Sequence, residues 1–339
     1  MVAFHHPVPV VAELLGALVR QTRATREVIL VDNASDAALD DLARAAAVDL
    51  RVIRPRENLG YVGACNLAAR AAAGEWLWFV NPDARPASSA LERLLAAADA
   101  QTALVGAQIL LPGGEYANAG DNGLHVSGLS WSGRYGEPRE DGPPRDVAVV
   151  SGACLLVRRT DFERLGGYHE GYFLYHDDVD LAWRARLAGR RVRFVPTATA
   201  VHDYAFHKGG YKWYWLERNR LWTLLSAYDA RTLVALAPVL LFAEVGILAF
   251  AVREGWWREK LRSWATLWAE RRELRAWRTR VQGTRQVSDA ELLRAMQGRL
   301  DTPLLSAPGL ALAGSAMETY RRALLALGRL LNGGGRGAR

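Results

Sequence analysis

The sequence predicts an α/β fold, an open sheet flanked by helices, followed by a helical region of different character. Three observations predict it. Apolar runs alternate with helical patterns three times within roughly the first hundred residues, as βαβ units require. Polar side chains cluster directly after those runs, where open α/β sheets collect their ligands. Beyond residue 203 the texture changes to a long apolar stretch followed by tryptophans set among arginines.

The elements follow in order. Residues 2–4 form a short strand closed by His5-His6-Pro7. The spacing of Val11, Leu14, Leu15 and Leu18 gives a helix over 10–20. Residues 27–31 read as a buried parallel strand that delivers Asp32 and Asn33 at its C-terminal end. A helix over 37–47, a strand over 50–53, an alanine-rich helix over 63–73 and a strand over 76–80 continue the alternation. Ser88 or Ser89 caps the next helix, 88–98. Residues 112–144, rich in Gly, Pro, Ser and Asp and without period, read as a long surface insertion. Strand character resumes at 147–150 and 154–157, around Ser151-Gly152-Ala153. Gly166-Gly167 stops a short helix over 161–165, and Gly189 ends another over 180–188 before a strand over 191–201.

Half of the 339 residues are apolar, enough for two domains, or for one with a long appendage. The net charge of +7 is unevenly spread. Residues 253–299 hold twelve Arg or Lys against six Asp or Glu, which leaves the rest of the chain near neutral. A basic, aromatic-rich tail predicts an anionic surface as partner, although a solvated helix face is the plainer reading of the charge alone. Eight of the twelve tryptophans lie beyond residue 200, beside the apolar stretch 233–252. That favours a membrane–water interface, and the expectation is no nucleic-acid partner. Glu244, near the centre of the stretch, would be costly in a span. The expectation is therefore a segment that is re-entrant or lies flat, with a hairpin packed on the body as the alternative. Cys65 and Cys154 have neither zinc nor disulfide spacing, the pattern of a reducing compartment. No secretory leader opens the chain, so the expected location is cytoplasmic, peripheral on the inner face of the cell membrane.

Three polar clusters mark the chemistry. Asn81-Pro82-Asp83 follows the strand 76–80, His176-Asp177-Asp178-Val179-Asp180 opens a helix, and His202-Asp203 closes the strand 191–201. Any one of these acids alone more often caps a turn or a helix. Together they suit a cation-assisted reaction on a phosphorylated substrate, with hard ligands for the cation and a separate carboxylate as base. A nucleotidyltransferase would want a Gly-rich loop with a lysine after the first strand, which this chain lacks.

In these residues the chain resembles glycosyltransferase family 2, especially its rhamnosyltransferase-like branch. Four stretches carry the resemblance: Val31-Asp32-Asn33-Ala34-Ser35, Asn58-Leu59-Gly60 through Asn66, Phe79-Val80-Asn81-Pro82-Asp83, and the run from Gly166-Gly167 to Arg184. The absence of a Gln-x-x-Arg-Trp segment argues against a processive polymerase. The family's Thr-Tyr-Asn-like first loop is replaced here by His5-His6, to which no role is given.

The resemblance implies a GT-A fold, an open mixed sheet flanked by helices, with a catalytic domain over 1–225 and a C-terminal, membrane-associating helical region over 226–339. Within the catalytic domain it implies a nucleotide-sugar-binding half over 1–110 and an acceptor-side half over 111–225. It implies a metal-dependent, inverting transfer of a sugar, rhamnose first and galactofuranose or another hexose second. The donor would be a nucleoside-diphosphate sugar and the acceptor a glycan or polyprenyl-linked glycan of the bacterial cell envelope. Asp32 or Asn33 would touch the base or ribose, and Asn58, Gly60 and Asn66 would border the diphosphate. Asn81 would line the donor site, where Asp83 would coordinate Mn²⁺ or Mg²⁺ with His202 as a further ligand; a histidine tilts the choice toward Mn²⁺. Asp178 would be the general base, with Asp177 beside it raising one carboxyl pKa. Asp180 would serve the first turn of its helix, Arg184 would pair with it or face the phosphates, and Arg218 would lie on the acceptor side. The rival from another class is a non-catalytic membrane-bound scaffold.

Overall fold

The computed structural model describes residues 1–25, 27–34, 39, 42, 48–202, 210–300 and 310–333. The helix expected over 37–47 lies, apart from positions 39 and 42, outside the described residues, and so does Asp203. Two compact units divide the chain. The first is Met1–Asn122, Ser132–Ala185 and Arg190–His207; the second is Gly123–Trp131, Arg186–Gly189 and Lys208–Arg339.

In the first unit, β1 (Val2–Ala3), β2 (Val28–Asp32) and β3 (Leu50–Ile53) form a parallel sheet in that order, as the βαβ alternation requires. Every residue of β2 is buried, which is why it reads as an uninterrupted apolar run ending in Asp32. The helix Val8–Val19 covers this sheet with Val11, Leu14, Leu15 and Leu18.

The rest of the alternation does not continue as a parallel sheet. The strand β4 (Trp76–Val80) lies at one edge of a second, mixed sheet. Its other members are β5 (Ala84–Pro86), β6 (Thr102–Leu110), β7 (Ala117–Ala119), β10 (Arg145–Asp146), β12 (Cys154–Arg158) and β13 (Arg191–His202). Along the main path the order is β10-β13-β6-β12-β4, with β12 antiparallel to both β4 and β6, and β13 parallel to β6. The apolar run of β4 could not reveal this, because its partner comes some seventy residues later and periodicity carries no strand direction. All nine positions of β6 are buried, and Val105, Ala107 and Ile109 share a core with Leu91, Leu94, Leu156 and Val195.

Two local expectations change. Residues 112–144 are not a structureless insertion: they carry β7, β8 (Asp121–Leu124) and β9 (Ser130–Trp131), and Asp121 and Asn122 pair with β11 (Val149–Val150). Strands of two to four residues are too short to print a period. Ser89 sits at the N-cap of the helix Ala90–Ala96 but makes no side-chain cap. Gln21 does the work instead, its Oε1 accepting from the Leu91 amide at 3.1 Å while its Nε2 donates to the Ala87 carbonyl at 2.9 Å. A cap supplied from seventy residues away is invisible to local reading.

The second unit is helical. Its long segments are Gly210–Ala227, Ala230–Arg253, Trp257–Ala269, Arg271–Gly283 and Leu310–Gly333. The first three are joined by a buried charge cluster. Arg220 pairs with Glu217 at 2.7 Å and with Glu244; Lys260 pairs with Glu244 at 2.7 Å and with Glu217. Two cations and two anions balance, and the Trp264 indole adds a hydrogen bond to Glu244 at 2.8 Å. Glu244 therefore costs little where it is, since its charge is paired and hydrogen-bonded. Cys65 and Cys154 are both buried free thiols, pushed up to about 12 by burial, and are inert packing residues.

Candidate active site

The antiparallel pairing of β5 with β13 puts Ala84 opposite His202, so Asp83 and His202 leave the sheet at the same point. His202 Nε2 lies 3.0 Å from Asp83 Oδ1. His202 is buried, whereas the Asp83 side chain is one-third exposed (33 %) and open to a ligand. Partial burial pushes the Asp83 carboxyl up, but the hydrogen bond and charge of His202, helped by His6, outweigh it and hold the carboxyl below its ordinary value. His6, which received no role from the sequence, thus belongs to the surroundings of Asp83.

Two residues earlier, Asn81 Oδ1 is buried without a hydrogen-bond partner among the described residues. A buried amide oxygen left unsatisfied is an acceptor waiting for a donor or a cation. No three His, Cys, Asp or Glu side chains among the described residues converge on a metal position. The pair Asp83 and His202 nevertheless offers a carboxylate and an imidazole that would fit a divalent cation completing its ligands from outside the protein.

The loop between β11 and β12 connects Asn81, two residues before Asp83, to the acidic helix Asp177–Leu187. The Asn81 amide donates to the Ala153 carbonyl at 3.0 Å, and the next amide back, Gly152 N–H, donates to Asp178 Oδ2 at 2.9 Å. In the sequence Ser151-Gly152-Ala153 is only a break between strands. A glycine between two apolar runs was the available signal, and its use is close approach: a Cβ at Gly152 would meet Asp178 Cβ at 3.3 Å. Asp178 Oδ1 accepts from the Val179 amide at 2.8 Å, in the first turn of its helix. Burial raises the Asp178 carboxyl, and the hydrogen bonds from Gly152 and Val179 offset part of the rise. Asp178 is half-buried rather than sealed, while Asp177 beside it is buried and pushed up to about 8 by burial, Asp178 and Asp180.

Backbone geometry before these acids is strained. Phe173, Tyr175 and His176 all have positive φ, at 60°, 67° and 64°. Non-glycine residues are held in this region only when their surroundings over-determine them. The Val62 amide donates to the Phe173 carbonyl at 3.2 Å, and Gly60 packs against that same oxygen. At Gly60 φ is +69° and a Cβ would lie 2.4 Å from the Phe173 oxygen, so only glycine fits.

Gly60 is fixed from its other side. Asn33 Nδ2 donates to Asn58 Oδ1 at 2.9 Å and to the Gly60 carbonyl at 3.1 Å, and Asn33 Oδ1 accepts from the Leu59 amide at 2.9 Å. Asn33 is buried, with both Nδ2 hydrogens and one acceptor position of Oδ1 used on this loop. Asp32, also buried, pairs with Arg54 at 3.0 Å. Asn66 does for the 166–170 loop what Asn33 does for 58–60: it donates to the Tyr168 carbonyl at 2.8 Å and accepts from the Tyr168 amide at 2.9 Å. Asp180 and Arg184 form a buried pair at 2.7 Å, with Tyr172 Oη donating to Asp180 and Arg184 to the Leu165 carbonyl. Arg218 lies in the second unit, where it pairs with Glu270 and stacks over Trp222 at 4.3 Å.

A stability test isolates Asp177. With a native pKa of about 8 against an ordinary 3.8, the folded protein holds a proton between those values that the unfolded chain has lost. Its contribution is complete below pH ~4 and is lost as pH rises through about 8, an upper bound of order 5 kcal/mol. Asp177→Asn is expected to raise the melting temperature at pH 8.5 and to change little at pH 4.5. Equal shifts at both pH values would contradict the burial of an ionisable Asp177.

A family model for glycosyl transferase family 2 matches residues 1–166. The N-acetylglucosaminyl-diphospho-decaprenol L-rhamnosyltransferase of Mycobacterium tuberculosis is 30 % identical over 284 residues, covering 76 % of this chain and 85 % of the relative. The chain belongs to glycosyltransferase family 2. The rhamnosyltransferase WbbL of Escherichia coli adds a shorter match, 47 % identical over 61 residues, or 18 % of this chain and 23 % of that protein. Among solved structures, GalNAc-T7 with UDP, GalNAc and Mn²⁺ aligns with a TM-score of 0.58 at 15 % identity, over 68 % of this chain and 47 % of that one. That likeness concerns the fold, which is GT-A. The protein is a glycosyltransferase of this family.

Proposed function

We propose that this glycosyltransferase is a metal-dependent, inverting enzyme that moves rhamnose from a nucleoside-diphosphate donor to a polyprenyl-linked glycan. It would work in bacterial cell-envelope polysaccharide synthesis, from the cytoplasmic face of the membrane. One observation carries the reading. Asn81, two residues before the Asp83 that meets His202, and the raised carboxyl of Asp178 are tied to neighbouring positions of a single loop, through Ala153 and Gly152. That is the arrangement a displacement needs, with leaving-group stabilisation and proton acceptor held by a rigid connection.

Asp83 and His202 would hold Mn²⁺ or Mg²⁺, which when bound neutralises charge on the leaving diphosphate. Asn81 Oδ1, with no partner among the described residues, is available to the donor or the cation. Asp178 accepts the proton of an acceptor hydroxyl as that oxygen bonds to the anomeric carbon. The bond from this carbon to the diphosphate oxygen breaks, its electron pair leaves on the phosphate, and configuration inverts in one displacement. A base of raised pKa is matched to this task. Asn33, Asn58 and Gly60 shape the donor loop, and Asn66 and the Asp180–Arg184 pair hold the base loop. Positioning is the role assigned to Asn33, Asn66, Asp180 and Arg184, whose polar groups are engaged within the protein, while the exposed Asn58 joins them through its Oδ1.

Rhamnose and a polyprenyl acceptor are favoured by the Mycobacterium tuberculosis relative, whose name gives both. The membrane side is supported by the Ala230–Arg253 helix, the one described helix long and apolar enough to cross a bilayer by length and composition. Release of nucleoside diphosphate from a panel of sugar nucleotides, with Mn²⁺ or Mg²⁺ and a polyprenyl-diphospho-N-acetylglucosamine acceptor, tests the reading. A dTDP-rhamnose donor is expected to be turned over, with inverted product. Turnover of only other hexose donors would refute the sugar, and turnover undiminished by EDTA would refute the metal.

A further inference from the structure

We propose that the second unit docks flat on an anionic bilayer through one face of the Ala230–Arg253 helix and the adjoining Trp257–Ala269 helix, and that its buried charge cluster keeps the first of these from spanning. The proposal deepens the membrane-side reading above and locates the surface within the molecule.

The Ala230–Arg253 helix has two unlike faces. One carries Leu236, Val239 and Ala251, which are buried, and Glu244, which is tied to Arg220 and Lys260. The other carries Val234, Leu241, Phe242, Val245 and Val252, all exposed, with Val234 at 75 % and Leu241 at 68 %. These positions recur at spacings of three, four and seven and form a stripe along the whole helix. A soluble surface rarely leaves a stripe of this kind uncovered.

The next helix repeats the pattern. Trp257, Leu261 and Trp268 are exposed at i, i+4 and i+11. The guanidinium of Arg258 lies 5.4 Å from the Trp257 ring and that of Arg271 lies 5.1 Å from the Trp268 ring. Exposed tryptophans with arginines beside them are the composition of a layer at the level of lipid headgroups. The occupant is chosen by charge: Arg253, paired with Glu254 at 3.2 Å, and Arg258, Arg262, Arg271 and Arg272 are exposed on these helices and at their ends, against the exposed acids Glu254 and Glu273. A second copy of the chain would bring arginines against arginines, whereas anionic headgroups complement them.

Spanning is opposed by the cluster. Glu244 sits in the middle of the helix, and its two cationic partners come from the helices Gly210–Ala227 and Trp257–Ala269. Crossing a bilayer would require breaking both pairs or drawing two charged helices into hydrocarbon. Lying flat keeps the cluster intact and buries only the stripe.

Cosedimentation of the full chain with vesicles tests this without any transfer assay, so its failure would leave the glycosyltransfer reading standing. Vesicles containing phosphatidylglycerol are expected to bind the protein at least tenfold more tightly than pure phosphatidylcholine, with the difference shrinking as salt rises. Leu241→Glu and Phe242→Glu, both on the exposed face, are expected to lose tenfold or more of that binding while keeping the helical circular-dichroism spectrum. A fluorophore on Val245→Cys is expected to be quenched by nitroxides near the headgroup and not by nitroxides at the bilayer centre; the native thiols are buried and unreactive. Equal binding to neutral vesicles, full binding by Leu241→Glu, quenching from the bilayer centre, or a dimer in place of vesicle binding would each overturn the proposal.

Discussion

Replacing Asp178 by Asn is expected to lower sugar transfer by about a thousandfold or more while leaving donor affinity within a few-fold, because it removes the proposed proton acceptor and little else. The geometry favours this separation. Asp178 makes its two hydrogen bonds as an acceptor, from Gly152 N–H and Val179 N–H. Asn can keep one of them and must turn its NH₂ toward the other, which costs of order 1 kcal/mol. Removing a carboxylate whose charge is penalised by burial works in the opposite direction. The fold should therefore survive with altered chemistry. Calorimetric titration of the donor alongside kcat for transfer separates the two quantities. Near-wild-type turnover would remove Asp178 from the role of base and leave the acidic helix without a catalytic residue.

The second large effect is expected at Asp83. Asp83→Ala should weaken the Mn²⁺-supported affinity for nucleoside diphosphate about a hundredfold, and the affinity in EDTA hardly at all. Its carboxyl is held ionised by His202 and is one-third exposed, so it is ready to bind a cation at neutral pH. His202→Ala should act in the same direction. The two substitutions together should cost less than the sum of their separate effects, since the pair acts as a unit. Unchanged Mn²⁺-supported affinity in Asp83→Ala would show that Asp83 and His202 are partners of each other only.

Much of this site was legible in the sequence because its chemistry sits where runs end. Asp83 and Asp178 stand just beyond the strand 76–80 and at the head of an acidic helix, and His202 closes the strand 191–201. What was not legible is the work done by residues that look like donor contacts. Asn33, Asn58 and Asn66 read as bordering the nucleotide, and the structure adds that Asn33, the Oδ1 of Asn58 and Asn66 also hold Leu59, Gly60 and Tyr168. An amide in a loop reads the same whether it faces a ligand or its own backbone. The antiparallel entry of β12, the cap from Gln21 and the rescue of Glu244 by Arg220 and Lys260 were hidden for a shared reason. Each joins residues that are distant in sequence, and local pattern holds no information about such partners. The strain at Phe173, Tyr175 and His176 was equally silent, since nothing in those residue types announces positive φ.

The central claim is that Asp83 and His202 together grip a divalent ion on the leaving-group side of the site. Anomalous diffraction from crystals soaked with Mn²⁺ and a nucleoside diphosphate reads this directly. A manganese peak within bonding distance of both Asp83 Oδ1 and His202 Nε2, about 2.0–2.3 Å, is the predicted result. Bound diphosphate with the manganese elsewhere, and the direct Asp83–His202 hydrogen bond intact, would contradict it.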